Sequence, residues 1–230
     1  MADLVSVIMP VCDGEAYLAE AIDSVLCQSH PQLELVVVDD GSSDGSGKII
    51  GEYVSRFANA ICISQDNAGV SAARNRGIEA CSGELVAFLD QDDRWCEDTL
   101  DTHVKYHQQH PEIGYTLAQQ VCFLEGMAEP PGWFRLQQLD VPHTGYLPGT
   151  LVAKRPMFEQ IGLFDTQYPI SSDADWFARA RDQQVATAIL PQTLLHRRIH
   201  PGNQSRHSKQ IQGELTRLLR ASIKRKREAQ

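Results

Sequence analysis

Acidic side chains gather at a few points of this sequence, in patterns suited to holding a cation or moving a proton. Val38, Asp39, Asp40, Gly41, Ser42, Ser43, Asp44 and Gly45 put two adjacent carboxylates at the end of an apolar run, in a tight turn. One acid would suffice to cap the helix that follows; a second, repelled by the first, calls for a ligand or a cation. Phe88, Leu89, Asp90, Gln91, Asp92 and Asp93 repeat the arrangement with three acids in four residues. Such hard oxygen donors suit Mg²⁺ or Mn²⁺, and an ion there would bridge to a diphosphate and offset its charge. A solvated acidic turn capping a helix over 96–106 is the plainer alternative. Ser171, Ser172, Asp173, Ala174, Asp175 and Trp176 place an acid pair at a helix start, where helix capping accounts for one of them. The stretch from Gly69 to Gly77 combines small residues, which let a helix begin close to a sheet, with Arg74 and Arg76, whose guanidinium groups suit phosphate or an acidic neighbour.

The elements that must position these groups show as alternation. β-rich runs at 4–9, 33–39, 60–64 and 85–89 alternate with helical patterns, which predicts βαβ crossovers and a largely parallel sheet. Tyr17, Leu18, Ala21, Ile22, Val25 and Leu26 keep helical spacing, as do Ile49, Ile50, Tyr53, Val54 and Phe57. Val36, Val37 and Val38 read as a strand buried on both faces, so the acids that end it sit where open α/β sheets bind ligands. Pro and Gly interrupt the stretch from Glu129 to Gly149, which predicts loops over a cleft. Helices are expected over 156–161 and 173–184, strands over 185–190 and 193–199, and a final helix from about Lys209.

The chain has 230 residues, 42% of them hydrophobic, and a formal net charge of -9. That composition excludes collagen, disulfide-dense and mostly disordered classes, and the acidic body should repel nucleic acid. From Arg206 to Gln230, eight Lys and Arg stand against two Glu, leaving 13 basic against 28 acidic side chains before them. Six dispersed cysteines read as reduced core residues, and the expected location is cytoplasmic. Asn203, Gln204 and Ser205 match a glycosylation sequon that such a location would leave unused.

Taken in order, Ser6, Val7, Ile8, Met9, Pro10, then Val37 to Ser42, then Ala73, Arg74, Asn75, then Phe88 to Asp93, the sequence resembles family-2 glycosyltransferases of the GT-A fold. Gly162, Leu163, Phe164, Asp165, the Asp173 pair and the run Arg198, Ile199, His200, Pro201, Gly202, Asn203 continue the resemblance, which covers Ser6 to about Ser205. It implies an α/β protein with a Rossmann-like mixed sheet flanked by helices. Residues 1–205 would form the domain, with a nucleotide-binding half at 1–95 and an acceptor or catalytic half at 96–205. Pro10, Asp39, Asp40, Arg74 and Asp90 would hold the nucleotide. Asp92 and His200 would hold Mg²⁺ or Mn²⁺. Gly149 and Thr150 would form a loop beside donor sugar and acceptor. Asp173 would be the base of an inverting transfer from a nucleotide-diphosphate sugar, expected to be a UDP-sugar, to an acceptor hydroxyl. The family commonly has Glu-Asp where this chain has Ser172 and Asp173, which leaves Asp175 as a second candidate. Cys12 and Asp13 depart from the aromatic residue and Asn that commonly follow Pro-Val. The Gln-x-x-Arg-Trp motif and membrane spans of polymerising members are missing, which implies addition of a single sugar to a glycan or lipid-linked acceptor of the cell envelope.

In the tail, 206–230, Ile211, Leu215, Leu218, Leu219 and Ile223 keep helical spacing among basic residues. A helix of this kind can lie peripherally on an anionic membrane, here the inner membrane face, or dock on the body or on a second copy in a homodimer. Two other readings of the acids remain open: a nucleotidyltransferase, though Pro10 to Gly14 carries no basic phosphate loop, and a degenerate nucleotide-sugar-binding protein without turnover. A phospho-acceptor receiver domain would leave Asp90 to Asp93 and Asp173 unexplained.

Overall fold

A computed structural model of the protein describes residues 3–228; the first two residues of the expected domain and the last two of the expected tail helix lie outside them. In chain order the elements are β1 (Val5–Val11), α1 (Leu18–Leu26), β2 (Leu33–Asp40), α2 (Ser46–Arg56), β3 (Ala60–Gln65), α3 (Val70–Ala80), β4 (Leu85–Phe88) and β5 (Arg94–Trp95). They continue with α4 (Thr99–Gln109), β6 (Tyr115–Leu124), β7 (His143–Thr144), β8 (Val152–Lys154), α5 (Met157–Gln160), α6 (Ser172–Asp182), β9 (Thr187–Ile199) and α7 (Ser208–Glu228). The strands make one sheet in the order β3-β2-β1-β4-β8-β6-β9-β5, with β7 paired to β6. Strands β3, β2, β1 and β4 are parallel. Strand β8 runs antiparallel to both β4 and β6, while β6 and β9 are parallel. The class is α/β with a mixed sheet, as expected.

Strand parity decides which acids reach the same place. Val5, Val7, Met9 and Val11 of β1, Leu33, Leu35 and Val37 of β2, and Leu85, Ala87 and Leu89 share one core with the apolar stripe of α1. Ile8, Val36, Val38, Val86 and Phe88 face the other core, with Ala73 of α3 and Trp176 of α6. Side chains alternate along a strand, so Asp40 and Asp90 continue the second face while Asp39 falls on the first. Helix α3 can lie close enough to serve that second face because Gly77 has no Cβ: one would stand 2.4 Å from Ile8 Cγ2.

One strand escapes the sequence patterns, and two sequence expectations need correction. Periodicity does not mark β6, because Thr116 and Gln120 are buried polar residues inside it whose partners lie elsewhere in the chain. The two strands expected over 185–190 and 193–199 are one strand, β9, carrying a register shift against β6 between the Leu117–Ile189 and Gln119–Thr193 pairs; the shift absorbs Pro191. The cysteines are all free, but Cys27 and Cys62 are exposed and only Cys81 and Cys122 are fully buried, so the expectation of six core residues holds for two.

The tail helix docks on the body. Glu214, Leu218 and Ser222 of α7 are buried, and Ser222 Oγ and Arg225 Nε donate to Asp182 at the end of α6, at 2.9 and 3.0 Å. Leu215, Leu219 and Ile223 remain exposed on its outer side. Among the described residues no helix is long and apolar enough to cross a membrane.

Two buried histidines tie α4 to the sheet. His103 Nδ1 lies 2.7 Å and His107 Nε2 3.1 Å from Thr116 Oγ1. Burial, and then the neighbouring His107, pull His103 down from 6.5 to about 3. The folded state therefore favours neutral His103: the associated stability is complete above 6.5 and is lost as pH falls from there toward 3, by about 1.4 kcal/mol per unit for one linked proton. Urea unfolding at pH 7 and pH 5 should show a smaller loss for His103→Gln, which keeps an acceptor or donor for Thr116, than for wild type; equal losses would contradict this linkage.

Candidate functional site

A cleft of about 440 Å³ opens at the carboxyl ends of β1, β2 and β4. Pro10, Asp40, Arg74, Asp90, Asp92, Asp173 and His200 all line it. Asp39, Gly149 and Thr150 do not. Asp39 accepts from Ser42 N at 3.0 Å and so shapes the turn after β2 from the other face. Gly149 and Thr150 are buried behind the wall: Trp95 Nε1 donates to Gly149 O at 2.7 Å, Thr150 Oγ1 donates to Gly145 O at 2.6 Å, and Leu147 and Pro148 meet the cleft instead.

Each acid on the cleft is fastened to a different element. Asp40, buried, accepts from Gln65 Nε2 at 2.7 Å and from the amides of Ala68 and Gly69, both at 2.8 Å, which fixes the entry to α3. Gly69 takes a φ of +89° there, a conformation that favours glycine. Asp90 Oδ1 receives Arg74 at 2.7 Å; the guanidinium is buried, and its Nε has no partner among the described residues. Gln91 returns to β1, accepting from Cys12 N at 2.8 Å and donating to Cys12 O at 2.9 Å. This bidentate clasp joins the segment after β4 to the end of β1. Asp13, with φ +48°, accepts from Ser43 N at 2.7 Å and joins the β1 end to the β2 turn.

Asp92 meets the carboxyl-terminal segment. His200 Nε2 lies 2.9 Å and Asn203 Nδ2 3.1 Å from its Oδ2. Asn203 Oδ1 also accepts from His200 N at 2.7 Å, so the amide of the sequon residue is buried and engaged from both ends. Asp93 is buried and accepts from Arg198 N at 2.8 Å; burial, then the adjacent Asp92, raise its carboxyl well above the usual carboxylate range. Arg198 is the fastener. Its Nε donates to Asp92 O at 2.8 Å, its NH1 to Glu125 at 2.6 Å and its NH2 to Glu20, and its guanidinium stands 4.5 Å over the Tyr17 ring.

The Asp173 and Asp175 alternatives separate. Asp175 is buried and accepts from Arg179 Nε at 2.7 Å, one turn along α6, and does not line the cleft. Asp173 lines it. Burial raises the Asp173 carboxyl, and the Arg74 guanidinium opposes that shift. A carboxyl with raised affinity for protons, at a helix start and facing a cleft, is equipped to take a proton from a bound hydroxyl.

Among the described residues no group of three or more His, Cys, Asp or Glu side chains could enclose a metal ion. The residues present fit a cation of another kind. Hydrogen bonds to the Asp92 carboxyl come to Oδ2, from His200 Nε2 and Asn203 Nδ2, and Oδ1 receives none among the described residues. Mg²⁺ and Mn²⁺ are commonly held by one or two side chains, with substrate phosphates and water completing the shell. Asp13, Asp40, Asp90, Asp92, Asp93 and Asp173 also line the cleft, whose basic groups are Arg74, Arg197 and His200, so the acids outnumber the basic groups facing it.

Sequence patterns miss Arg197, Gln91 and Arg198 as working parts. Arg197 lines the cleft and donates to Ser205 Oγ at 3.0 Å. The strand alternation of β9, which turns Arg197 and Arg198 to opposite sides, is the signal that would have distinguished them.

The profile of the family described as "Glycosyl transferase family 2" matches residues 6–183. The chain belongs to that family. It is 36% identical to the minor teichoic acid biosynthesis protein GgaB of Bacillus subtilis (strain 168) over 124 residues, 53% of this chain and 14% of GgaB. The fold is GT-A, as expected. It superimposes on S. aureus TarS 1-349 in complex with UDP-GlcNAc with a TM-score of 0.72 at 21% identity, covering 89% of this chain and 61% of TarS 1-349. The mannosyltransferase PcManGT from Pyrobaculum calidifontis, in complex with GDP-Man and Mn²⁺, gives 0.73 at 19% identity, covering 97% of this chain and 65% of that one. The chain spans less than two thirds of the length of the curated relatives it matches. The matched stretch ends before β9, so His200 and α7 lie beyond it.

The Arg198 fastener gives a direct test of how the cleft is held. Arg198→Met, which keeps the apolar stem but loses the charge-assisted bonds, should destabilise the protein by about 2–3 kcal/mol in urea unfolding. Unchanged stability would contradict its role.

Proposed function

We propose that the protein transfers a single sugar from a nucleoside-diphosphate sugar, with UDP the expected nucleotide, to an acceptor hydroxyl with inversion at the anomeric carbon. The observation that carries this is Asp173 facing, across one cleft, the Asp92 and His200 pair at the carboxyl ends of the strands. Pro10, Asp40 and the Arg74 and Asp90 pair hold the nucleotide. Asp39 shapes the turn beneath it, and Gly149 and Thr150 support the Leu147 and Pro148 wall beside donor sugar and acceptor. Asp92 and His200 hold Mg²⁺ or Mn²⁺, which when bound neutralises charge on the departing diphosphate. Asp173 takes the acceptor proton as that oxygen attacks from the face opposite the diphosphate, which is the geometry that inverts configuration.

Resemblance to a teichoic acid biosynthesis protein supports an envelope glycan or lipid-linked acceptor. Assayed with a panel of UDP-glucose, UDP-galactose, UDP-GlcNAc and GDP-mannose, Asp173→Asn should lower kcat by about 10²–10⁴ while nucleotide affinity persists. Nuclear magnetic resonance of the product should show the inverted anomer. Full turnover by Asp173→Asn, or a retained anomer, would refute the mechanism.

The exposed Leu215, Leu219 and Ile223 on α7 lie beside Arg220, Lys224 and Arg227, an arrangement that suits the surface of an anionic bilayer. Flotation with vesicles containing phosphatidylglycerol should carry wild type upward and leave the Leu215→Ser, Leu219→Ser, Ile223→Ser variant at the bottom. Equal flotation of both proteins would rule out a contact through these three side chains, and flotation of neither would rule the membrane contact out.

A further inference from the structure

We propose that Glu214 of α7 is a positioning residue for Asp173, setting the first turn of α6 so that the carboxyl of Asp173 meets the acceptor hydroxyl. This rests on the reading of Asp173 as the base. Ser171 stands at the N-cap of α6 yet makes no capping bond through its own side chain. The amides of Ser171 and Ile170 instead donate to Glu214 Oε2, at 2.8 and 3.2 Å. Glu214 is 1% exposed, and Gln210 Nε2 donates to its other oxygen at 3.0 Å. One turn along, Arg217 lies 5.4 Å over the Tyr168 ring and reaches Gln167 O at 3.5 Å. From the opposite side, Ser71 Oγ of α3 donates to Ser172 Oγ at 2.8 Å.

The segment leading into the base is thus gripped by α7 on one side and α3 on the other. Ile170 itself lines the cleft, three residues before Asp173, which lines it too. A carboxyl supplied from another helix does here what the Glu or Gln of a capping box does from within its own helix: it accepts the amide of the N-cap residue, the buried Ser171. Loss of that acceptor lets the first turn of α6 rotate toward another partner. A displacement of about 1 Å in a group that must meet a reacting atom costs on the order of 10² in rate.

The test compares wild type with Glu214→Ala, Glu214→Asp, Glu214→Gln and the pair Ser222→Ala, Arg225→Ala, which loosens α7 at its far end. Turnover and donor KM are measured with the four nucleotide-sugars and Mn²⁺, and amide hydrogen exchange is followed over residues 168–178. Glu214→Ala and Glu214→Asp should lose about tenfold or more in kcat with KM nearly unchanged, and exchange should rise at 170–174. Glu214→Gln should recover most of the turnover, because its amide oxygen still accepts and the Gln210 amide can turn to receive the new donor. If Glu214→Ala does not fold, the Asp and Gln variants carry the comparison.

The proposal is overturned if exchange at 170–174 is unchanged in Glu214→Asp, if Gln fails to restore what Asp loses, or if the far-end pair loses kcat equally. Asp173→Asn separates the two levels. Its full activity would overturn the reading of the base, whereas an inactive Asp173→Asn beside a fully active Glu214→Asp would overturn the positioning role alone.

Discussion

Carboxylates drawn together from strand ends, turns and a helix start repel one another, and in this protein that repulsion has to be met at one cleft. Asp40, Asp90, Asp92, Asp93 and Asp173 reach it from β2, from the segment after β4 and from α6. No shared counter-charge answers them all. Asp40 is held by backbone amides and Gln65, Asp90 by Arg74, Asp92 by His200 and Asn203, and Asp93 by the amide of Arg198. Each fastening joins the cleft to a separate part of the chain, so the groups that make the acids tolerable also fix the elements around them. The acidity left over is what the proposed cation would offset for a diphosphate.

The remainder of the fold is arranged to serve that cleft. Two cores, one on each face of the parallel strands, impose the alternation that sends Asp40 and Asp90 to the α3 side and Asp39 to the other. The strands β8, β6 and β9 then extend the sheet, and β9 delivers Arg197, Arg198 and His200 in succession. Its continuation into α7 passes the grip from the Asp92 side of the cleft to the Asp173 side: the chain runs from His200 on Asp92 to Glu214 on Ser171. Asp92 and the approach to Asp173 are therefore both held by the last part of the protein.

The amino-terminal half was readable because its strands are apolar on both faces and its helices carry clean stripes, as in Val36 to Val38 and Leu18 to Val25. The carboxyl-terminal half was less so. Thr116 and Gln120 sit inside β6 as buried polar residues, paired with His103, His107 and His143, and such partners are invisible to periodicity. The two strands expected over 185–190 and 193–199 are one, because the register shift of β9 absorbs Pro191. In the cleft, the acids were visible as types and spacings, whereas their fasteners were not. Gln91 stands among the acids as an ordinary polar residue until its clasp on Cys12 is seen. Glu214 reads as one of two acids in a basic helix until that helix is laid on α6. Order along the chain supplied the resemblance, but only the fold separates Asp173 from Asp175, and Asp40 from Asp39.

The central claim is that this acidic cleft accepts a nucleoside diphosphate only together with a divalent cation held at Asp92. Calorimetric titration of UDP and GDP into wild type and Asp92→Ala, each with Mn²⁺ and with EDTA, tests it most directly. The account predicts binding of one of these nucleotides to wild type in Mn²⁺, lost with EDTA and lost in Asp92→Ala. Binding that persists undiminished in EDTA, or in Asp92→Ala, would contradict it.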